Sequence, residues 1–216
     1  MMKRYLFVFG IVSVCVVIAT AYCGVTGVAA DEALDDAVEK IMRESFSTAS
    51  PEQWKSRLEQ DEVQGLCSRF RNRPPPEIAE RILQLSNQDF RYPADGKLLG
   101  DWTKGEKLAS SGKGGHIGTI HPDPPGRKRG ANCYACHALA RSELSAGNLG
   151  PSLTDYGKQR GTSSATIRLV YQKIYNAQAF YPCSQMPRFG HNEWLTPEEI
   201  ADAVAFLLDP NSPVNQ

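Results

Sequence analysis

Two cysteines and a histidine in the middle of the chain have the spacing of a covalent cofactor site. Cys133, Cys136 and His137 form the pattern C-x-x-C-H. Thiols three positions apart can each add to a vinyl group on one porphyrin edge, and the histidine that follows can ligate the iron. The cysteines could instead form a redox couple or half of a zinc site. No strand pattern precedes them and no second ligand pair has similar spacing, so the motif predicts one covalent haem c.

A haem iron held by His137 needs a sixth ligand. Met186 follows the motif in a loop before the last predicted helix, where its thioether could reach the distal face of the haem. Methionine–histidine ligation raises the reduction potential and suits an electron carrier. Met186 could instead fill a gap in the core. The sixth position would then belong to His191 or Cys183, or stay open. The other candidates in the chain are Met42, expected in the core of its own helix, and His116 and His121.

A glycine-proline turn lies shortly after the motif. A metal-bound histidine usually donates its second ring N–H to a carbonyl oxygen, which fixes the tautomer and the ring plane. The turn at Gly150-Pro151 could supply this acceptor for His137, or it could be an ordinary loop turn.

The N-terminus has the order of a secretory signal peptide. Two basic residues precede an apolar run over 5–21, and small residues lead up to Ala30. This order predicts that residues 1–30 are cleaved and that the mature protein is periplasmic. An uncleaved membrane anchor is the alternative, although the run is short for a full span. A lipid anchor at Cys23 is disfavoured because Tyr22 is bulky where a small residue is expected.

Two cysteines remain after the leader and the haem motif are set aside. Cys67 and Cys183 lie far apart in sequence, and an oxidising compartment favours an intramolecular disulfide between them. Such a bridge would tie the N-terminal part of the chain to the loop that carries Met186. A reactive thiol at Cys183 and intermolecular pairing are the alternatives.

The rest of the chain shows helical periodicity and helix caps. Residues 31–95 read as a helical extension and residues 96–216 as one domain. The signals are apolar stripes and caps at Leu34, Val38, Ile41 and Met42; at Ser50 to Gln53; at Ile78, Ile82 and Leu85; at Asp101; at Ile167, Val170, Tyr171 and Ile174; and at Thr196 followed by Ile200, Ala203, Val204, Leu207 and Leu208. No alternating pattern predicts a strand, so the predicted fold class is all-α.

Charge and residue types exclude several functions. The chain of 216 residues has 24 basic and 24 acidic side chains, which gives no reason to expect a nucleic-acid partner. No general acid–base pair or catalytic triad is apparent, so no catalytic residue is predicted. The basic run Arg127-Lys128-Arg129 just before the motif could steer an acidic partner, or it could be ordinary solvated surface.

Several motifs in fixed order resemble the SoxX family, the monohaem subunits of SoxAX thiosulfate-oxidising complexes. The resemblance covers about residues 95–215, and Cys67 in the extension is shared with the longer SoxX forms. The segments that carry it are 95–102, 130–139, 147–153, 171–176, 182–191 and 195–202.

The resemblance implies a class I cytochrome c fold with an N-terminal helical extension, and His137 and Met186 as axial ligands. It implies a heterodimer with a SoxA-type cytochrome, at whose own haem thiosulfate is coupled oxidatively to a cysteine of a carrier protein (L-cysteine S-thiosulfotransferase activity). This chain would be the non-catalytic subunit that passes electrons to a soluble cytochrome c. The alternatives are a free-standing class I cytochrome c shuttle of another respiratory chain and a haem-based gas sensor.

Overall fold

A computed structural model describes residues 34–113, 126, 128 and 130–216. The predicted leader, His116, His121, Arg127 and Arg129 lie outside the described residues. Regular structure in the described ranges is helical throughout, which confirms the all-α prediction. No helix among these residues is long and apolar enough to cross a membrane. The chain divides into two compact units, one ending at Arg57 and the other beginning at Leu58.

The described part of the first unit contains helix α1 (34–45) and helix α2 (Pro51–Arg57). The predicted capping box at the start of α2 is present. Ser50 N–H donates to Gln53 Oε1 at 2.8 Å, and Gln53 N–H donates to Ser50 Oγ at 3.2 Å. The apolar stripe of α1 is mostly exposed, with Leu34 and Ile41 each at 61%, and Met42 is only half-buried. The expectation that Met42 is a core residue therefore holds only in part.

The second unit contains six α-helices within the described residues. They are α3 (Glu62–Arg69), α4 (Pro76–Ser86), α5 (Trp102–Ser110), α6 (Tyr156–Arg160), α7 (Ser164–Tyr175) and α8 (Pro197–Leu208). The predicted caps begin two of them. Asp101 Oδ1 accepts from Thr103 N–H at 2.9 Å in α5, and Thr196 and Glu199 form the reciprocal capping box of α8.

The core of the second unit forms where α5 and α7 pack on α8. All five apolar residues predicted for the buried face of α8 are buried, and Ile200 and Val204 are fully inaccessible. Gly105 lets α5 approach α8 closely, because a Cβ at this position would overlap the carbonyl oxygen of Asp202 and lie 2.8 Å from Phe206 Cβ. The far end of α5 is tied to the chain before the motif, because the Leu108 carbonyl accepts from Ala131 N–H at 2.8 Å.

The second half of the predicted extension belongs to the same compact unit as the haem motif. Side chains of α7 bind the backbone that follows α4: Tyr171 Oη donates to the Arg91 carbonyl at 2.8 Å, and Tyr175 Oη donates to the Asp89 carbonyl at 3.2 Å. Helices α3 and α4 pack together around the buried residues Val63, Cys67 and Ile82. The domain division after residue 95 stays a prediction.

Candidate haem site

The two cysteines of the motif are on a tight turn. Residues Cys133–Ala135 form a 3-10 turn after Asn132, whose φ of 48° is left-handed. The Cys133 carbonyl accepts from Cys136 N–H at 3.1 Å and from His137 N–H at 2.9 Å. The turn therefore holds both thiols and the histidine in one short, closed segment of backbone.

A second segment, 147–153, runs beside the motif and fixes its conformation. Three N–H groups of this segment donate to carbonyls of the motif region at 2.8 Å: Gly147 to Tyr134, Gly150 to Cys136, and Leu153 to Ala138. The segment is one of those that carry the family resemblance. It packs closely enough that a Cβ at Gly147 would overlap the Ala135 carbonyl.

The ring of His137 has one orientation and one tautomer. Nδ1 lies 2.7 Å from the Pro151 carbonyl oxygen. A carbonyl only accepts, so Nδ1 carries the proton and Nε2 is left with a free lone pair. The predicted role of the Gly150-Pro151 turn is thus present. Gly150 itself lies against the ring, where a Cβ would overlap Cε1 and lie 2.8 Å from Nε2.

The thiols of Cys133 and Cys136 are not joined to each other. Burial raises the pKa of the Cys133 thiol to about 11, so in the haem-free chain it stays protonated at neutral pH. No cluster of three metal-ligating residues is found in the described ranges. The donor set of two free thiols and one oriented imidazole fits a covalent haem c.

The loop that carries Met186 lies between the 3-10 turn Ala177–Ala179 and α8. Met186 is half-buried and packs against the same main core as Cys133. Its N–H donates to Ser184 Oγ at 3.3 Å. Of the rival ligands, Cys183 is in a disulfide and is not free to ligate. His191 Nε2 lies 3.5 Å from a carboxylate oxygen of Asp61.

The disulfide expected between Cys67 and Cys183 is present. It joins α3 to the loop three residues before Met186, with a Cα–Cα distance of 5.4 Å. Both cysteines are buried in the small cluster that also contains Val63 and Ile82. The bridge therefore attaches the Met186 loop to the α3–α4 pair.

One ion pair near this loop was not predicted from the sequence. Arg188 Nη2 donates to Asp61 Oδ2 at 2.6 Å, and only 5% of the Arg188 side chain is exposed. Partial burial alone would raise the pKa of Asp61. Hydrogen bonds from His191, Arg188 and the Gln64 N–H outweigh that effect and hold the pKa well below its usual range. Asp61 and Gln64 have the spacing of a capping pair, which could have predicted the start of α3 but not the distant partner.

Comparison with known proteins agrees with this geometry. The sequence profile of the cytochrome c family matches residues 126–209, which include the motif, the segment 147–153, Met186 and α8. An uncharacterised lipoprotein of Aquifex aeolicus is 41% identical over 159 residues, and the match covers 73% of each chain. The similarity thus extends beyond the haem motif into the N-terminal part of the chain. Residues 126–209 are therefore a cytochrome c domain, which implies covalently bound haem c and an electron-transfer role.

Proposed function

We propose that this cytochrome is the electron-transfer subunit of a SoxAX-type complex, in which a larger SoxA-type cytochrome couples thiosulfate to a carrier-protein cysteine. The observation that carries the proposal is the attachment of residues 58–95 to the Met186 loop through the Cys67–Cys183 disulfide. A minimal diffusing shuttle needs no such extension. The ordered motifs shared with the SoxX family support the same assignment.

The proposed ligand set is Cys133 and Cys136 as thioether links, with His137 and Met186 as axial ligands. The free thiols and the fixed His137 tautomer support the first three. The disulfide that occupies Cys183 and the contact of His191 with Asp61 support the fourth, because both rival ligands are already engaged. Iron in haem supplies one-electron redox chemistry, and a methionine ligand favours the ferrous state.

The residues of the chain orient the proximal ligand and exclude water from one face of the core. The Pro151 carbonyl holds the proton on Nδ1 of His137, which would leave the Nε2 lone pair for the haem iron. The buried side chains of α7 and α8 behind the motif exclude water from that face of the core. On this proposal the thiosulfate sulfur reacts on the partner, and this chain passes electrons from the partner to a soluble cytochrome c.

Two measurements test the ligand set. The denatured polypeptide, washed with acidified acetone, should keep its haem colour, because thioether bonds survive this treatment. A colourless polypeptide would contradict covalent attachment. The ferrous protein should not bind carbon monoxide readily at neutral pH. Rapid binding would contradict Met186 ligation and favour the gas-sensor function.

Co-purification tests the assignment to a complex. The tagged holoprotein, recovered from thiosulfate-grown cells, should bring down a second, larger c-type cytochrome at about equal amount. The control is the same pull-down with Glu143→Gln, which removes an exposed negative charge from the loop after the motif. An unchanged amount of the larger cytochrome shows that its capture does not depend on this surface charge. Recovery of the chain alone would favour the free-standing shuttle.

We also propose a periplasmic location after cleavage following Ala30. The Aquifex relative is described as a lipoprotein. The competing proposal is therefore that this protein is exported but stays anchored through a lipid on Cys23. Intact-mass measurement of the mature protein separates the two. The mass of a chain whose first residue is Asp31 supports the soluble form. The mass of a chain whose first residue is Cys23, increased by acyl chains, supports the anchored form.

A further inference from the structure

Helix α3 is attached to the Met186 loop at two points, one on each side of the methionine. Cys67 is bonded to Cys183, three residues before Met186. Asp61, which caps the start of α3, is paired with Arg188, two residues after Met186. The loop between the two attachments is short, and Cys183 itself has a left-handed φ of 58°. The backbone around Met186 is therefore held at both ends by one helix.

The Asp61–Arg188 pair is well placed to fix the second end. The two carboxylate oxygens of Asp61 have separate partners: Oδ1 accepts from Gln64 N–H at 2.8 Å, and Oδ2 accepts from Arg188 at 2.6 Å. The carboxylate is thus oriented by the helix on one side and holds the guanidinium on the other. Arg188 is buried, so loss of its counter-charge would leave an unpaired charge in the interior.

The helix itself cannot follow the loop easily. Its buried face, Val63 and Cys67, packs against Ile82 of α4. The pair between Glu62 in its first turn and Arg81 of α4 is about half-exposed on both sides, so it adds little to this support. An attachment to α3 is consequently an attachment to the α3–α4 pair, which is a firmer support than a single exposed helix.

We propose that Asp61 and Arg188 are positioning residues for the axial ligand Met186, which act together with the disulfide to keep its thioether on the iron. The inference rests on the proposed function, since it takes Met186 as the sixth ligand. This role does not require Asp61 or Arg188 to contact the haem. Their role is to limit how far the loop can move and so to limit the rate and extent of thioether dissociation.

Asp61→Asn is the variant that isolates this role. Asparagine is as good a helix cap as aspartate, so its amide oxygen can still accept from Gln64 N–H. Its amide NH2 group would then face the guanidinium of Arg188, with a donor against a donor and no counter-charge. The matched control is Glu62→Gln, which removes a neighbouring acidic charge and an exposed ion pair from the same helix.

The experiment is an imidazole titration of the ferric holoprotein, with the thioether–iron charge-transfer absorption band as the second readout. Imidazole competes with Met186 for iron, so a looser loop gives tighter apparent binding. Asp61→Asn should bind imidazole about tenfold more tightly than wild type, which corresponds to about 1.4 kcal/mol of lost loop restraint. Glu62→Gln should match wild type. The double variant Asp61→Asn/Arg188→Gln removes the unpaired buried charge but leaves the attachment broken, so it should still bind imidazole more tightly than wild type.

Three outcomes would overturn the inference, and they are distinguishable. If wild type shows the thioether band and Asp61→Asn titrates like wild type, the positioning role is wrong while Met186 ligation stands. If wild-type holoprotein lacks the thioether band, the ligand assignment fails and the inference fails with it. A change of equal size in Asp61→Asn and Glu62→Gln would also overturn it, because the effect would then be general to charge on α3.

Discussion

The backbone around His137 leaves its ring a single orientation. The Pro151 carbonyl accepts a hydrogen bond from Nδ1 at 2.7 Å, and Gly150, without a side chain, lies against the Nδ1–Cε1–Nε2 edge of the ring. The motif predicted the ligand, and the nearby Gly-Pro turn suggested the acceptor. The need for glycine at 150 was not predicted, because it depends on the distance between two segments that only the folded chain brings together.

Gly150→Ala should disturb the proximal ligand directly. The new Cβ would overlap the imidazole, so the ring must leave the Pro151 carbonyl or the segment 147–153 must move away. Overpacking of this kind typically costs about 1–3 kcal/mol. We expect haem content per polypeptide, measured from absorbance against protein concentration, to fall severalfold. Gly65→Ala, in α3 with no atom within 4 Å of the added Cβ, should leave haem content unchanged.

Asp61 should give the folded protein a specific sensitivity to acid. Arg188, His191 and the Gln64 N–H face its carboxylate and hold its pKa below the unfolded value of about 3.9. The stabilisation is therefore fully present above that pH and is lost as the pH falls towards the folded pKa. Urea unfolding at a series of pH values should show wild type more stable than Asp61→Asn at pH 7, with the gap closing below about pH 4. A gap that stays constant down to pH 3 would contradict the assignment.

Helices with strong local signals were predictable, and helices without them were not. The caps at Asp101 and Thr196 correctly predicted the starts of α5 and α8, and the apolar spacing in α7 predicted its buried face. Helix α3 has a capping pair, Asp61 and Gln64, that marks its start, but only Val63 and Cys67 are buried, so no apolar stripe marks its length. Its stability comes from α4 and from the disulfide, which are tertiary contacts that a local pattern does not contain.

The crossing of α5 and α8 depends on one glycine. Gly105→Ala would place a methyl group against the Asp202 carbonyl and 2.8 Å from Phe206 Cβ. Backbone cannot yield there as a flexible side chain could, so the two helices must separate. We expect a loss of about 1–3 kcal/mol in the free energy of unfolding, measured by urea titration with helical circular dichroism. Gly65→Ala is again the control, and it should be neutral or slightly stabilising because alanine is the better helix former.

At the scale of the whole molecule, the second compact unit is held together by contacts between residues far apart in sequence. The Asp61–Arg188 pair and the Cys67–Cys183 bridge both join its first helix to the loop before α8. The bridge could be predicted by elimination among six cysteines, since the leader and the haem motif account for the other four. The ion pair could not, because acidic and basic side chains are too numerous for a pairing to be deduced.

Reduction of the Cys67–Cys183 bridge should lower the stability of the unit without releasing the haem, because thioether bonds are not cleaved by thiol reductants. The bridge spans 116 residues, and chain entropy alone assigns a loop of this length about 4–5 kcal/mol. Urea unfolding of the holoprotein with and without reductant should therefore show a much lower midpoint when the bridge is open. The double variant Cys67→Ser/Cys183→Ser should have that lower midpoint in both conditions. Equal midpoints for wild type with and without reductant, once mass spectrometry shows both thiols free, would mean that the packing of α3 on α4 holds the Met186 loop without the bridge.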